Sequence, residues 1–216
     1  SVKQLIEISY KDAGKKSGVR FLADRVGMVV PEDDIDDRSR GRRETMLRLN
    51  RDAARFFYDN LSRPEGAQAL KYIETRRISP IMVKKFGLGA APDSWDSLIR
   101  AMTKLGYTYE QMADAGLVKR SSKSGRGFYD TFRSRLMFPV IDVRGNVIGF
   151  SGRIVGEGEP KYLNSPDTFV FNKSRNLFGL NIAKKSKSGR LILVEGNVDV
   201  VSLHQAGFDS AVASLG

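Results

Sequence analysis

The chain has no cysteine in its 216 residues. That excludes disulfides and any zinc site built on cysteine thiolates. It has a single histidine, His204, in Leu203-His204-Gln205, and no serine or cysteine nucleophile is arranged around it. His204 therefore reads as a partly buried structural residue. No apolar run approaches the ~18 residues that a membrane-crossing helix needs. Ser1 opens no signal-peptide pattern. There is no internal repeat and no true low-complexity tract. The one tryptophan, Trp95, and the Phe56/Phe57 pair read as core.

Charge is unevenly supplied. Lys and Arg number 36 against 25 Asp and Glu, a net charge of +11. The sequence pI is near 9.9. From Arg120 to Arg190 there are 14 basic and 5 acidic residues, so most of the surplus lies in one middle segment. A local basic stripe of this kind is the electrostatic footprint of phosphate binding, although a generic basic surface would look the same by charge alone.

Near the end of the chain, Leu191-Ile192-Leu193-Val194 runs into Glu195-Gly196, and Asn197-Val198-Asp199-Val200-Val201-Ser202-Leu203 follows. The apolar run reads as a buried parallel strand and the rest as a helix. Glu195 is thus placed at the carboxyl end of a strand, where open α/β sheets put their ligands. Asp199, four residues on, can face the same side. Two carboxylates at such a junction suit a hard divalent cation. Taken alone, they read more readily as a solvated acid and a first-turn Asp favoured by the helix dipole.

The rest of the chain has a coarse order. Val2–Val29 reads as two short helices, and Pro31–Arg43, dense in Asp and Arg, as a linker. Glu44–Leu61 has amphipathic helical spacing. Pro64 opens a helix to about Arg76, and Ser79-Pro80 opens a short one. Trp95–Leu105 and Tyr109–Ala115 read as helices stopped by Gly106 and Gly116. Ser121–Gly127 is a basic Ser/Gly loop. Leu136–Val143 and Val147–Val155 are β-rich runs joined at Arg144-Gly145-Asn146, a hairpin signal. Phe169–Ala183 crosses back through a short helix, Lys184–Arg190 is a basic loop, and Ser210–Ser214 is a last strand. The expected fold class is α+β: a helical N-terminal part and a small β-rich basic subdomain, then the beginning of an α/β sheet.

Three segments carry more specific chemistry. Pro160-Lys161-Tyr162-Leu163-Asn164-Ser165-Pro166 follows the hairpin in a Pro-bounded loop. Lysine offers a point charge to phosphate, tyrosine a stacking face, and asparagine an amide for hydrogen bonding. Gly149-Phe150-Ser151-Gly152-Arg153 places an arginine on a strand beside glycines that permit close approach. Arg135-Leu136-Met137-Phe138-Pro139-Val140 precedes it, and Phe171-Asn172-Lys173 follows.

In this order and spacing, from about Leu5 to Gly216, these segments resemble the RNA polymerase core of bacterial DnaG-type DNA primases. The Glu195 segment resembles the start of that family's toprim fold. The Pro-Lys-Tyr-Leu-Asn-Ser-Pro run is highly specific. The Glu-Gly turn is not, because topoisomerases and nucleases share toprim folds.

The resemblance implies residues 1–30 as the tail of a zinc-binding domain, 31–43 as a linker, 44–187 as the N-terminal subdomain of the catalytic core, and 188–216 as the start of the toprim domain. It implies template-directed synthesis of RNA primers by two-metal nucleotidyl transfer. Glu195 would be catalytic. Glu195 and Asp199 would hold Mg2+ or Mn2+. Arg76, Arg135, Arg153, Lys161, Tyr162, Asn164 and Lys173 would bind nucleotide or template, with Arg76 matching more loosely. Many relatives would have glycine where Arg77 stands, so the local helix end is expected to differ. Zn2+ would belong to the parent protein only, its ligands preceding Ser1, and further acidic ligands would follow Gly216. Expected partners are a single-stranded DNA template, NTPs, an RNA–DNA hybrid and, through a missing C-terminal region, the replicative helicase, with no membrane and a bacterial cytoplasmic location. Two other classes stay open: a different toprim enzyme, and a non-catalytic single-strand binding module. The 216 residues alone are expected to make no primers and to leave Ser210–Ser214 as an exposed apolar edge.

Overall fold

The computed structural model describes residues 34–121 and 127–215, with side chains from residue 38 onward. The tail at 1–30 and most of the Ser121–Gly127 loop lie outside the described residues. Two compact units divide at Gly41 and Arg42. The first described element, α1, is Asp34–Asn60. It begins about ten residues before the expected start at Glu44, so part of the expected linker is helix. Proline, the strongest helix breaker, stops at Pro31.

A 3-10 turn at Pro64–Gly66 leads into α2 (Ala67–Thr75), and α3 (Pro80–Phe86) follows with proline at its first position. Then come β1 (Gly89–Ala91), α4 (Ser97–Lys104) and α5 (Tyr109–Asp114). The α5 start is a full capping box: the Thr108 hydroxyl accepts from the Gln111 amide, and Gln111 accepts back from the Thr108 amide. Two strands that the sequence reading missed, β2 (Val118–Arg120) and β3 (Phe128–Asp130), pair antiparallel across the basic loop. Three-residue strands carry too little periodicity to be read.

The main sheet contains β4 (Arg135–Ile141), β5 (Val147–Ile154) and β6 (Tyr162–Asn164), in the order β1-β4-β5-β6, so Tyr162–Asn164, expected in a loop, is an edge strand too short to show a period. All its pairings are antiparallel. Pro139 is tolerated in β4 because β1 reaches only to Met137, so no neighbour on that side needs its N–H. Strand alternation divides the core. Leu136, Phe138 and Val140 face one buried cluster with Ile73, Phe86 and Phe178. Met137 faces another with Leu49, Phe57, Phe132 and Phe150. With both faces covered, β4 reads as a continuous apolar run.

A 3-10 turn at Lys173–Arg175 and α6 (Leu180–Ala183) lead to β7 (Ile192–Val194), α7 (Asn197–Gln205) and β8 (Ala211–Ala213). β7 and β8 pair in parallel around α7, a βαβ unit. Two expectations fail here. β7 is not buried: Leu193 is 67% exposed and Leu191 is 50% exposed. β8, expected as the exposed edge, is fully buried, because α7, α6 and Phe178 cover it. His204 is structural, as read. Its Nε2 lies 3.0 Å from the Ala211 carbonyl, and its ring meets Phe86 edge to face. The architecture is α+β.

Candidate nucleotide and nucleic-acid sites

Register on the main sheet builds the first site. Arg153 on β5 stands opposite Tyr162 on β6, and Ser151 stands opposite Asn164. These residues share one face, while Leu163 between them packs on the second core cluster. The Arg153 guanidinium lies between two rings, 5.4 Å from the Tyr162 centroid and 4.8 Å from that of Tyr72 on α2. Arg76, one turn on from Tyr72, lies 5.4 Å from the same ring. Tyr72 was missed by the sequence reading. Its signal was the Tyr72/Arg76 spacing of four on a helix.

Tyr162 sits beside the Glu195 turn. A small pocket of about 140 Å³ is lined by Ser151, Tyr162, Asn164, Glu195, Asn197, Ser214 and Leu215. Burial pushes the Tyr162 phenol up, and the adjacent Arg153 guanidinium partly offsets this. A β-carbon added at Gly196 would lie 2.7 Å from Asp199 Oδ2 and 3.7 Å from the Tyr162 hydroxyl. Glycine there lets the Asp199 carboxylate fold back toward the tyrosine. The Asn164 amide nitrogen donates to the Leu215 carbonyl, which fastens β6 to the segment after β8. Its Oδ1 is buried without a partner.

Glu195 and Asp199 are both exposed at this junction. With the Asn164 amide oxygen they offer hard oxygen donors, the kind that Mg2+ or Mn2+ takes. Among the described residues, no group of three His, Cys, Asp or Glu side chains is close enough to hold a metal ion. The donor set fits such an ion in kind and supplies part of a shell.

Three other sequence-picked residues fall differently. Lys161 is exposed next to Tyr162. Lys173 is half-buried in its 3-10 turn, with its backbone N–H donating to Asp167. Arg135 does not line a surface groove. It is 5% exposed, and its Nη1 donates to the Gly152 and Pro160 carbonyls at 3.0 Å each. The side chain passes over Gly152, where an added β-carbon would lie 2.9 Å from Arg135 Cδ. Arg135 thus holds the start of the Lys161–Tyr162 loop from behind.

A second aromatic–basic cluster lies on the β2–β3 hairpin. Trp95 is not core: it is 65% exposed in the loop before α4. The Arg133 guanidinium lies 3.9 Å from its ring centroid and 5.3 Å from that of Tyr129. Tyr109 stacks on Phe128 at 5.3 Å, with Arg120 over the same phenylalanine. Buried Asp130 fixes the platform by accepting from the Leu98 and Ile99 amides and the Ser97 hydroxyl, which ties α4 to the hairpin. The ion pairs Arg42–Asp114, Arg51–Asp52 and Arg100–Asp96 all lie outside the 120–190 segment.

The family model for the DNA primase catalytic core, N-terminal domain, matches residues 56–184. A DNA primase of Clostridium acetobutylicum is 41% identical over 201 residues, which cover 92% of this chain and 33% of that protein. The structure of a DnaG primase catalytic domain bound to ssDNA superposes with TM-score 0.74 at 40% identity, covering 82% of this chain and 57% of that one. The RNA polymerase domain of Mycobacterium tuberculosis primase DnaG, solved with a double-stranded DNA oligomer carrying a 6-nucleotide overhang, gives 0.75 at 35% identity, covering 80% and 55%. The chain spans about a third of the length of such curated relatives and just over half of the solved domains.

Proposed function

Since this chain belongs to the family of DNA primase catalytic core N-terminal domains, we propose that it is part of a DNA-directed RNA polymerase that lays short RNA primers on single-stranded DNA. One observation carries the reading: Tyr162 and Asn164 of β6 line one pocket with the strand-end Glu195, and the Arg153 guanidinium lies 5.4 Å from the Tyr162 ring. Cations and a stacking ring beside carboxylates are what nucleotidyl transfer needs. The cations neutralise the triphosphate, and the carboxylates hold the ion it travels with.

In this reading the roles divide by chemistry. Arg153, Arg76 and Lys161 hold the triphosphate of the incoming NTP. Tyr162 offers a ring face and a hydroxyl. Asn164 locks β6 to the segment after β8. Arg135 supports it from within. Glu195 and Asp199 would hold Mg2+ or Mn2+. Such an ion, when bound, supplies Lewis-acid stabilisation of the developing charge and makes the primer 3′-hydroxyl more acidic. Two carboxylates are too few for a two-metal site, so residues 1–216 are expected to make no primers alone, the remaining ligands coming from elsewhere in the polymerase. The Glu195 segment is then the start of a toprim domain and 44–187 the N-terminal subdomain.

The Trp95–Tyr129–Arg133 platform is assigned to the template. An exposed ring and guanidinium suit sequence-independent stacking of single-stranded bases, and the surrounding Arg120 and Lys119 suit their phosphates. The test is a primer-synthesis assay with the whole protein, NTPs and single-stranded DNA. RNA dinucleotides and longer products support the reading. Strand passage or cleavage without polymerisation assigns the Glu195 segment to another toprim chemistry, and binding without any reaction leaves a single-strand binding module.

A further inference from the structure

Among the described residues, five helix ends close with the same turn. In each, the backbone N–H just after a left-handed residue returns to a carbonyl five residues back, as in a Schellman motif. The bonds are Leu88 to Val83, Tyr107 to Met102, Leu117 to Met112, Phe208 to Leu203 and Ile78 to Ile73. The turn requires a left-handed residue just before the donor. Four of the five use glycine there: Gly87, Gly106, Gly116 and Gly207. The fifth, at the end of α2, uses Arg77 at φ 53°. A side chain in this region of backbone space is strained, because its Cβ crowds the following carbonyl.

The exceptional turn is also held from outside. Gln205, in the last turn of α7, donates through Nε2 to the Arg77 carbonyl at 2.8 Å. Its Oε1 accepts from the Ser79 amide at 2.7 Å. One side chain thus closes both backbone groups of the α2–α3 turn onto the helix that begins beside Glu195 and carries Asp199. Arg76, the residue before the strained one, is the cation that shares the Tyr72 ring with Arg153.

We infer that Gln205 is a positioning residue for the nucleotide site, clamping the left-handed Arg77 turn so that Arg76 and Tyr72 are held in register with the Glu195–Asp199 junction. The inference rests on the polymerase reading above. Gln205 touches no substrate and acts through the turn. Its two hydrogen bonds replace the conformational freedom that glycine provides at the other four ends. Arg77 keeps a cation beside Arg76 that glycine would remove.

The test uses the whole protein with Gln205→Met, which keeps the side chain's length and loses both bonds, alone and combined with Arg76→Ala or Arg77→Gly. Dinucleotide synthesis is followed as KM for NTP and as kcat, and amide exchange at Ser79 is followed in the same proteins. Gln205→Met is expected to unprotect the Ser79 amide and raise KM about tenfold, the value of roughly one net hydrogen bond. Global stability should fall little, since the site is exposed. Combined with Arg76→Ala it should add almost nothing to the single effect. In the Arg77→Gly background, where the turn needs no clamp, the loss should shrink to about threefold or less. Unchanged Ser79 exchange overturns the clamp itself. Unprotected Ser79 with unchanged KM, or full additivity with Arg76→Ala, overturns the positioning role. Absence of dinucleotide from the wild-type protein overturns the polymerase reading and the positioning role with it, while the exchange data still decide whether the clamp exists.

Discussion

Arg153 lies between two tyrosine rings, 4.8 Å from Tyr72 and 5.4 Å from Tyr162, and Arg133 lies over Trp95 at 3.9 Å and Tyr129 at 5.3 Å. The two clusters share a contact and differ in their surroundings. The first is half-buried; its Tyr162 shares a pocket with Glu195 and feels the Asp199 carboxylate. The second is exposed at its tryptophan; there Asp96 pairs with Arg100, and Asp130 is buried and occupied by the amides of α4. In the proposed reading, the pair beside the Glu195 turn serves the triphosphate and the pair on the hairpin serves as a platform for bases.

The sharpest way to break this comparison is to remove Arg153. Arg153→Ala in the whole protein is expected to raise KM for NTP by about tenfold to a hundredfold, the range of one charge-assisted contact. Single-stranded DNA affinity should change little. Lys161→Ala and Tyr162→Ala should act in the same direction without unfolding the chain. Equal losses in NTP use and DNA affinity would erase the distinction between the clusters. The converse is Trp95→Ala, expected to weaken single-stranded DNA binding by about tenfold while KM for NTP holds, since one stacked base is worth ~1–3 kcal/mol. Titration of fluorescent oligonucleotide against both variants reads both effects.

A finer test uses salt. Binding of single-stranded DNA by the 216-residue chain should be steeply salt-dependent, and Arg133→Ala should lower the log–log slope by about 0.7 if its guanidinium meets one phosphate. An unchanged slope would leave Arg133 as a ring support only. The smallest effect concerns neither cluster but the βαβ unit behind the first. Burial holds His204 below its ordinary value of 6.5. The unfolded chain therefore takes up a proton near pH 6.5 that the folded chain resists. Stability from this group is present above that pH and is lost as the pH falls below it. The urea midpoint should drop between pH 7.5 and 5.5, and His204→Gln should flatten part of that drop.

Some of this was legible in the sequence because single residues carried it. Gly106 and Gly116 stop their helices with φ 86° and 70°. The Arg144-Gly145-Asn146 turn joins β4 and β5 where expected, with Asp142 accepting from the Arg144 and Asn146 amides. Glu195 follows a strand that pairs in parallel. The failures have physical causes. Trp95 is apolar, but its position in a loop lets a guanidinium cover it instead of a core. Arg135 belongs to a basic run, yet the missing side chain at Gly152 opens an interior path that takes its guanidinium to two backbone carbonyls. β7 is apolar throughout, yet Leu193 on it is 67% exposed while its partner Val212 on β8 is buried, a difference that an apolar run alone does not carry. The mismatch at Arg77 was visible as a residue where glycine was expected, but Gln205, 128 positions away, was not.

The decisive measurement compares wild-type and Glu195→Gln in the whole protein, with template-directed dinucleotide synthesis and single-stranded DNA affinity read side by side. The expected result is synthesis reduced to background with DNA affinity unchanged, because the carboxylate serves the reaction and the Trp95 platform serves the template. Synthesis that survives Glu195→Gln would contradict the placement of the reaction at this junction.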